Sequence, residues 1–163
     1  MRRLSALLLV LAPLAAATGC FAPPPPSQRV ADIAREVNLA TRFGRMDFAM
    51  GHLADGTRAH FTRRRAEWGQ AVRILDLELT GLNMKDSEHA TVLVDVQWTR
   101  LDESTLNVTR IEQEWRGTTE DDGWVLARER RVGGDVGLFG EKRPAPAEPE
   151  AHGDVHFASR TIR

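Results

Sequence analysis

The feature that most constrains the fold of this chain is a change of hydrophobic period near Ala71. Upstream of it, apolar residues recur every three or four positions. Val30, Ile33, Ala34 and Val37 predict a helix, with Ser27 placed to cap its start and Gly44 to stop it. Met46 to Leu53 predicts a second short helix presenting Phe48. A third is expected from about Asp55 to Gly69, carrying Phe61 and Trp68, with Asp55 as its cap. Downstream the period becomes two. Val72 to Leu82 alternates Leu75, Leu77 and Leu79 against Asp76, Glu78 and Thr80. Ala90 to Arg100 alternates Ala90, Val92, Val94, Val96 and Trp98 against Asp95 and Gln97. Leu106 to Arg116 and Trp124 to Val132 read as two further strands. Turns are expected at Lys85-Asp86-Ser87 and from Thr118 to Gly123. One-sided alternation implies an antiparallel sheet with one packed and one wet face. Helices first and strands afterwards make an α+β domain, the helices lying on the packed face of a curved four-stranded sheet.

At 163 residues the chain has room for one such domain. A formal net charge of -1 argues against nucleic acid, which draws clearly basic proteins. The only cysteine is Cys20, so no internal disulfide framework exists.

The position of that cysteine is informative. Arg2 and Arg3 precede an apolar run from Leu4 to Ala16, the layout of a secretory signal peptide and too short a run to span a bilayer comfortably. Small residues follow, and Ala17-Thr18-Gly19-Cys20 resembles the bacterial lipobox, although that pattern prefers leucine where Ala17 stands. The resemblance implies cleavage before Cys20, a diacylglycerol thioether on its sulfur and a stable membrane anchor. Phe21 stands where an aspartate retains many such proteins in the inner membrane, which points to the outer membrane of a Gram-negative cell. The expected organisation is therefore a signal peptide over 1–19 and a lipid-anchored Pro-rich linker over 20–28. A folded domain over 29–141 and a disordered tail over 142–163 follow. Pro23 to Pro26 favour an extended spacer. Pro144, Pro146 and Pro149 lie among alanine and glutamate in the tail.

Phe43-Gly44, Trp68-Gly69, Gln113-Glu114-Trp115-Arg116 and Trp124-Val125-Leu126, in this order of elements, resemble the NTF2-like (cystatin-like cone) domains of bacterial lipoproteins. The resemblance implies a cone-shaped pocket between sheet and helices, and no single activity, since the fold serves enzymes and binding modules alike.

Within that frame the strand pattern turns Thr109, Ile111, Gln113 and Trp115 inward, and Trp124, Leu126 and Arg128 with them. Gln113 and Arg128 then either clamp a ligand carbonyl or carboxylate or sit paired at the pocket rim. The candidate bases are Asp47, His52, His60 and Asp76, of which His60 and Asp76 are preferred. The chain has no tyrosine, which removes the oxyanion donor of the steroid-isomerase pattern. His152 and His156 flank Asp154 at helical metal spacing, but Gly153 and nearby prolines disfavour a helix, so no metal or cofactor is expected. Arg63-Arg64-Arg65 offers contact with anionic headgroups or glycan phosphates, but reads first as a solvated helix face. Gly134, Gly137 and Gly140 read as a turn after the last strand.

The leading expectation is a non-enzymatic envelope lipoprotein whose domain binds a partner protein, a second copy or a small apolar ligand. The alternatives are an enzyme acting on a small hydrophobic molecule, with His60 or Asp76 as base and Gln113 or Arg128 as clamp, and a structural spacer. An open, polar pocket floor would keep catalysis in play; a pocket filled by Trp98, Trp115 and Trp124 would favour interaction.

Overall fold

A computed structural model of the chain describes residues 23–118 and 123–142. The signal segment, Cys20, residues 119–122 and the tail from 143 onward, with its histidines, lie outside the described residues.

Among the described residues three helices precede four strands: α1 (Pro26–Arg42), α2 (Met46–Gly51), α3 (Arg58–Arg64), β1 (Val72–Met84), β2 (His89–Arg100), β3 (Asn107–Gly117) and β4 (Trp124–Gly134). The strands form one antiparallel sheet in sequence order. The α+β arrangement expected from the change of period is therefore present.

Local chemistry explains the helix ends. α1 starts at Pro26 after an extended Pro25, so the last proline of the tract and Ser27 are helical rather than linker and cap. Proline fits a first helical position because its missing N–H would lack a helical partner there anyway. Gly44, at a φ of 73°, takes the left-handed conformation that ends the helix. α3 is shorter than the pattern implied. Gly56, at a φ of 81°, separates Asp55 from the helix, and Thr57 becomes the residue at its N-cap.

The centre of the packed face is filled. Val30, Ala34 and Val37 of α1 and Phe61 of α3 share one apolar cluster with Val92, Val94, Val96, Trp98, Ile111, Trp115, Trp124 and Leu126. Burying each such side chain contributes about 1.5–3 kcal/mol. Beyond β4 the chain folds back over the same cluster. Leu138 is fully buried, Phe139 stacks on Trp68 at 6.1 Å between ring centroids, and the Trp68 indole donates to the Leu138 carbonyl at 3.0 Å.

Four irregularities interrupt the one-to-one pairing, one of them between Arg110 and Ile111, where Val132 of β4 is extra. A shift between Ile74 and Asp76 turns Ile74 inward and leaves Leu75 exposed, and another lies between Leu79 and Gly81. On β4, Glu114 pairs with Arg128 but Trp115 with Leu126, so Ala127 is an extra residue. An extra residue flips every side chain beyond it. Arg128, expected inward, is exposed, and Glu129 is buried in its place.

Candidate functional site

The bulge at Ala127 builds two adjoining features, one on each side of β4. On the inner side is a buried polar network. The Arg65 guanidinium donates to Glu129 Oε2 at 2.7 Å, and Gln113 Nε2 donates to the same oxygen at 3.0 Å. Gln113 and Asn38 exchange side-chain amide bonds at 3.0 and 3.1 Å, and Asn38 also donates to the Ala34 carbonyl at 2.7 Å. The network thus ties α1 to β3, β4 and the end of α3 through fully or nearly buried groups.

Arg65 is only 4% exposed, contrary to the expected solvated arginine face. Its guanidinium lies 3.6 Å from the Phe61 ring centroid and 4.7 Å from that of Trp68. Its Nε and Nη1, like Glu129 Oε1 and Trp115 Nε1, have no hydrogen-bond partner. The cation is held by one carboxylate and by aromatic faces. Burial pushes the Glu129 carboxyl up, but the charge and hydrogen bond of Arg65, the Gln113 amide and the charge of Arg64 together hold it below the ordinary glutamate range.

On the outer side, α3 and the free edge of β4 enclose a groove of about 470 Å³ lined by Gly56, Thr57, His60, Arg64, Ala127, Arg128, Glu129 and Arg130. Thr57, His60 and Arg64 stand at helical spacing and form its α3 wall. Thr57 donates to the Ala127 carbonyl at 3.2 Å and Arg64 to the Glu129 carbonyl at 2.7 Å, so two side chains satisfy the exposed backbone of the edge strand. The Arg64 guanidinium also covers the Phe139 ring at 3.7 Å. Burial lowers its pKa, and neighbouring Arg65 adds to this against Glu129 and Glu141.

The remaining candidates fall in three places. Thr109 is buried and consumed: it accepts from the Trp98 indole at 2.9 Å and donates to the Asp135 carbonyl at 2.7 Å. Gln113 is consumed by Asn38 and Glu129. Asp76 lies on β1, at the opposite edge of the sheet from the groove, and accepts from Arg42 at 3.0 Å; Arg42 also donates to the Leu75 carbonyl at the β1 bulge. Only His60 and Arg128 share a surface, and both are exposed.

Sequence reasoning missed Asn38, Arg65 and Glu129. Asn38 stands one helical turn after Ala34, and Arg65 one turn after Phe61, so spacing held a signal for both. For Glu129 there was none, because the Ala127 bulge leaves no mark in the alternation.

A separate cleft of about 300 Å³ opens between α1 and β1, lined by Arg35, Asn38, Leu39, Leu77, Glu78, Leu79 and Val94. Among the described residues no group of three or more His, Cys, Asp or Glu is placed to hold a metal ion. No helix among them is long and apolar enough to cross a membrane.

No protein-family model and no curated protein matches this chain. Among solved structures it is similar to a SEC-C motif containing protein from Rhodopseudomonas palustris, determined in solution. The identity is 15% and the TM-score 0.49, over 59% of this chain and 73% of that one. This likeness transfers neither site nor activity. It does correct the resemblance to NTF2-like lipoprotein domains, because the similar structure bears a different description and no NTF2-like family model matches. The packing agrees with the correction: where that resemblance implied an open cone, Trp98, Trp115 and Trp124 belong to a closed core.

Proposed function

We propose that this chain is a lipoprotein of the bacterial envelope, acylated at Cys20, whose folded domain is a non-enzymatic module that binds a partner protein. The anchor reading rests on the signal-like run and on Ala17-Thr18-Gly19-Cys20; Phe21 favours the outer membrane. The binding reading is supported by one observation, that Trp98, Trp115 and Trp124 fill the centre of the helix-facing side. The residues weighed for chemistry do not converge there, since Thr109 and Gln113 are spent on internal bonds and Asp76 lies on the far edge strand.

The test is a native mass spectrum of the full-length protein extracted from its own membrane, run beside crosslinking in intact cells. The expected result is acyl mass on Cys20, absent from Cys20→Ser, and a crosslinked protein adduct. Cleavage without acylation would refute the anchor, and recovery of bare monomer from every crosslinking condition would refute the partner.

A second reading, binding of a small apolar ligand, is favoured by the α1–β1 cleft, where Leu39, Leu77, Leu79 and Val94 meet. It predicts a co-purifying small-molecule adduct that Leu79→Trp eliminates.

A further inference from the structure

The groove between α3 and the β4 edge gathers four basic side chains with no carboxylate facing it. Elsewhere several arginines stand against carboxylates: Arg35 with Asp32, Arg42 with Asp76, Arg100 with Glu67, Arg110 with Asp95 and Arg131 with Glu141. Others, such as Arg58, Arg73 and Arg116, are exposed and line no shared groove with Arg128. In the groove, Arg64, Arg128, Arg130 and His60 converge. The only carboxylate among its lining residues belongs to Glu129, and that carboxylate is turned inward onto Arg65 and Gln113.

Arg130 retains Glu112 at 2.6 Å, and Arg64 donates to backbone. Arg128 and His60 make no hydrogen bond or ion pair among the described residues, although Glu114 stands across from Arg128 on β3. The donors of Arg128 and His60 are thus unused, and both residues line the same groove. The bulge that aims Arg128 there is the device by which strands commonly redirect a side chain at a functional site. It also removes Glu129 from the groove, so one extra residue both supplies the cation and withdraws the anion.

From this we propose that the groove binds a multiply charged oxyanion of the phosphate type, with Arg128 as its principal ligand and His60, Arg64 and Arg130 around it. Guanidinium forks match the oxygens of such a group, and a compact phosphoryl centre offers more acceptors to converging donors than one carboxylate does. The proposal depends neither on the Cys20 anchor nor on the protein partner proposed above.

The test is titration of the full-length chain in detergent with inorganic pyrophosphate, followed by calorimetry and by the shift of its thermal midpoint. Saturable binding is expected that weakens as salt rises and falls about tenfold in Arg128→Ala, with His60→Ala weaker than the parent. Arg128→Lys should recover part of the loss, and Arg73→Ala, a charge removed from the far edge strand, should bind like the parent. Arg128 has no partner to lose, so Arg128→Ala should keep the parent's midpoint in the absence of pyrophosphate; a large drop would contradict its placement. Vesicles containing an anionic phospholipid distinguish the sources. Competition with pyrophosphate assigns the groove to a headgroup phosphate, and its absence assigns it to a soluble one. Absence of pyrophosphate binding, or binding equal in parent, Arg128→Ala and His60→Ala, overturns the proposal.

Discussion

Arg65 and Glu129 show how a buried pair can hold a fold without adding much net stability. Each ion is costly to desolvate, and their attraction offsets that cost only with good geometry and further hydrogen bonds. Here Gln113 supplies one such bond and the Phe61 and Trp68 rings cover the cation, while Glu129 Oε1 stays unpaired. Removing one partner is the damaging change, because it strands the other charge. Glu129→Gln keeps the shape of the side chain and leaves the Arg65 cation without a counter-ion. It should lower stability near neutral pH by about 3–5 kcal/mol, read from urea unfolding. The same variant reports the pH linkage. The Glu129 carboxyl titrates lower in the folded protein than in the unfolded chain. Its contribution is therefore complete above the ordinary glutamate value of 4.5 and is lost as pH falls below it. The urea midpoints of parent and variant should converge as pH is lowered from 7 toward 3. A gap that stays constant would mean that Glu129 is not ionised in the folded protein.

At the scale of elements, the Ala127 bulge decides which charges are inside. Deleting Ala127 removes the extra residue itself, so Leu126 stays opposite Trp115 and Arg128 opposite Glu114 in unbroken pairing, with Arg128 still outward and Glu129 still inward. The deletion should therefore keep the buried pair and lose only local contacts such as the Thr57 bond to the Ala127 carbonyl, costing about 0.5–1.5 kcal/mol in urea unfolding and so much less than Glu129→Gln. A deletion chain destabilised as strongly as Glu129→Gln would show that Ala127 is not the extra residue and that the strand beyond it had changed face. This bulge also marks the limit of what was legible in the sequence. Element order, the antiparallel sheet and the inward Thr109, Ile111, Gln113 and Trp115 followed from period alone, because β3 meets β2 without a break. β1 and β4 each carry register shifts, and it was there that Leu75 and Arg128 were assigned to the wrong face. Alternation reports a face only while pairing is one to one. The candidate site was correspondingly half legible: His60 and Arg128 do share a groove, but one on the outside of the edge strand rather than within a central pocket. Asn38, Arg65 and Glu129 became a unit only through contacts between elements distant in sequence.

For the whole molecule, the direction of α1 fixes which end a tether at Cys20 would hold near a bilayer. Pro26 lies at the end of the domain formed by Ser87, Glu88, Gly117 and Trp124. Six residue steps from Cys20 reach at most about 21 Å, so that end stays close to the anchoring surface. α1 runs 17 residues away from it, about 25 Å, toward the turn between β2 and β3. The exposed large apolar residues gather in that far half: Phe43, Leu75, Leu101, Leu106, Val108 and Val132. An anchored domain would thus present its apolar surface away from the lipid, where a protein partner can meet it, and keep its polar hairpin turn toward the headgroups. Because Cys20 is the only cysteine and would be blocked by acylation, a single introduced thiol can carry a fluorophore. Ser87→Cys and Ser104→Cys are both exposed substitutions, in the near and far turns. With the acylated chain on vesicles doped with nitroxide headgroups, the probe at 87 should be strongly quenched and the probe at 104 should fluoresce as it does in solution. Equal quenching at both sites would mean that the domain lies on its side against the membrane. Stronger quenching at 104 would reverse the orientation and bring the apolar residues onto the lipid, and a membrane-binding surface would then replace the partner-facing one.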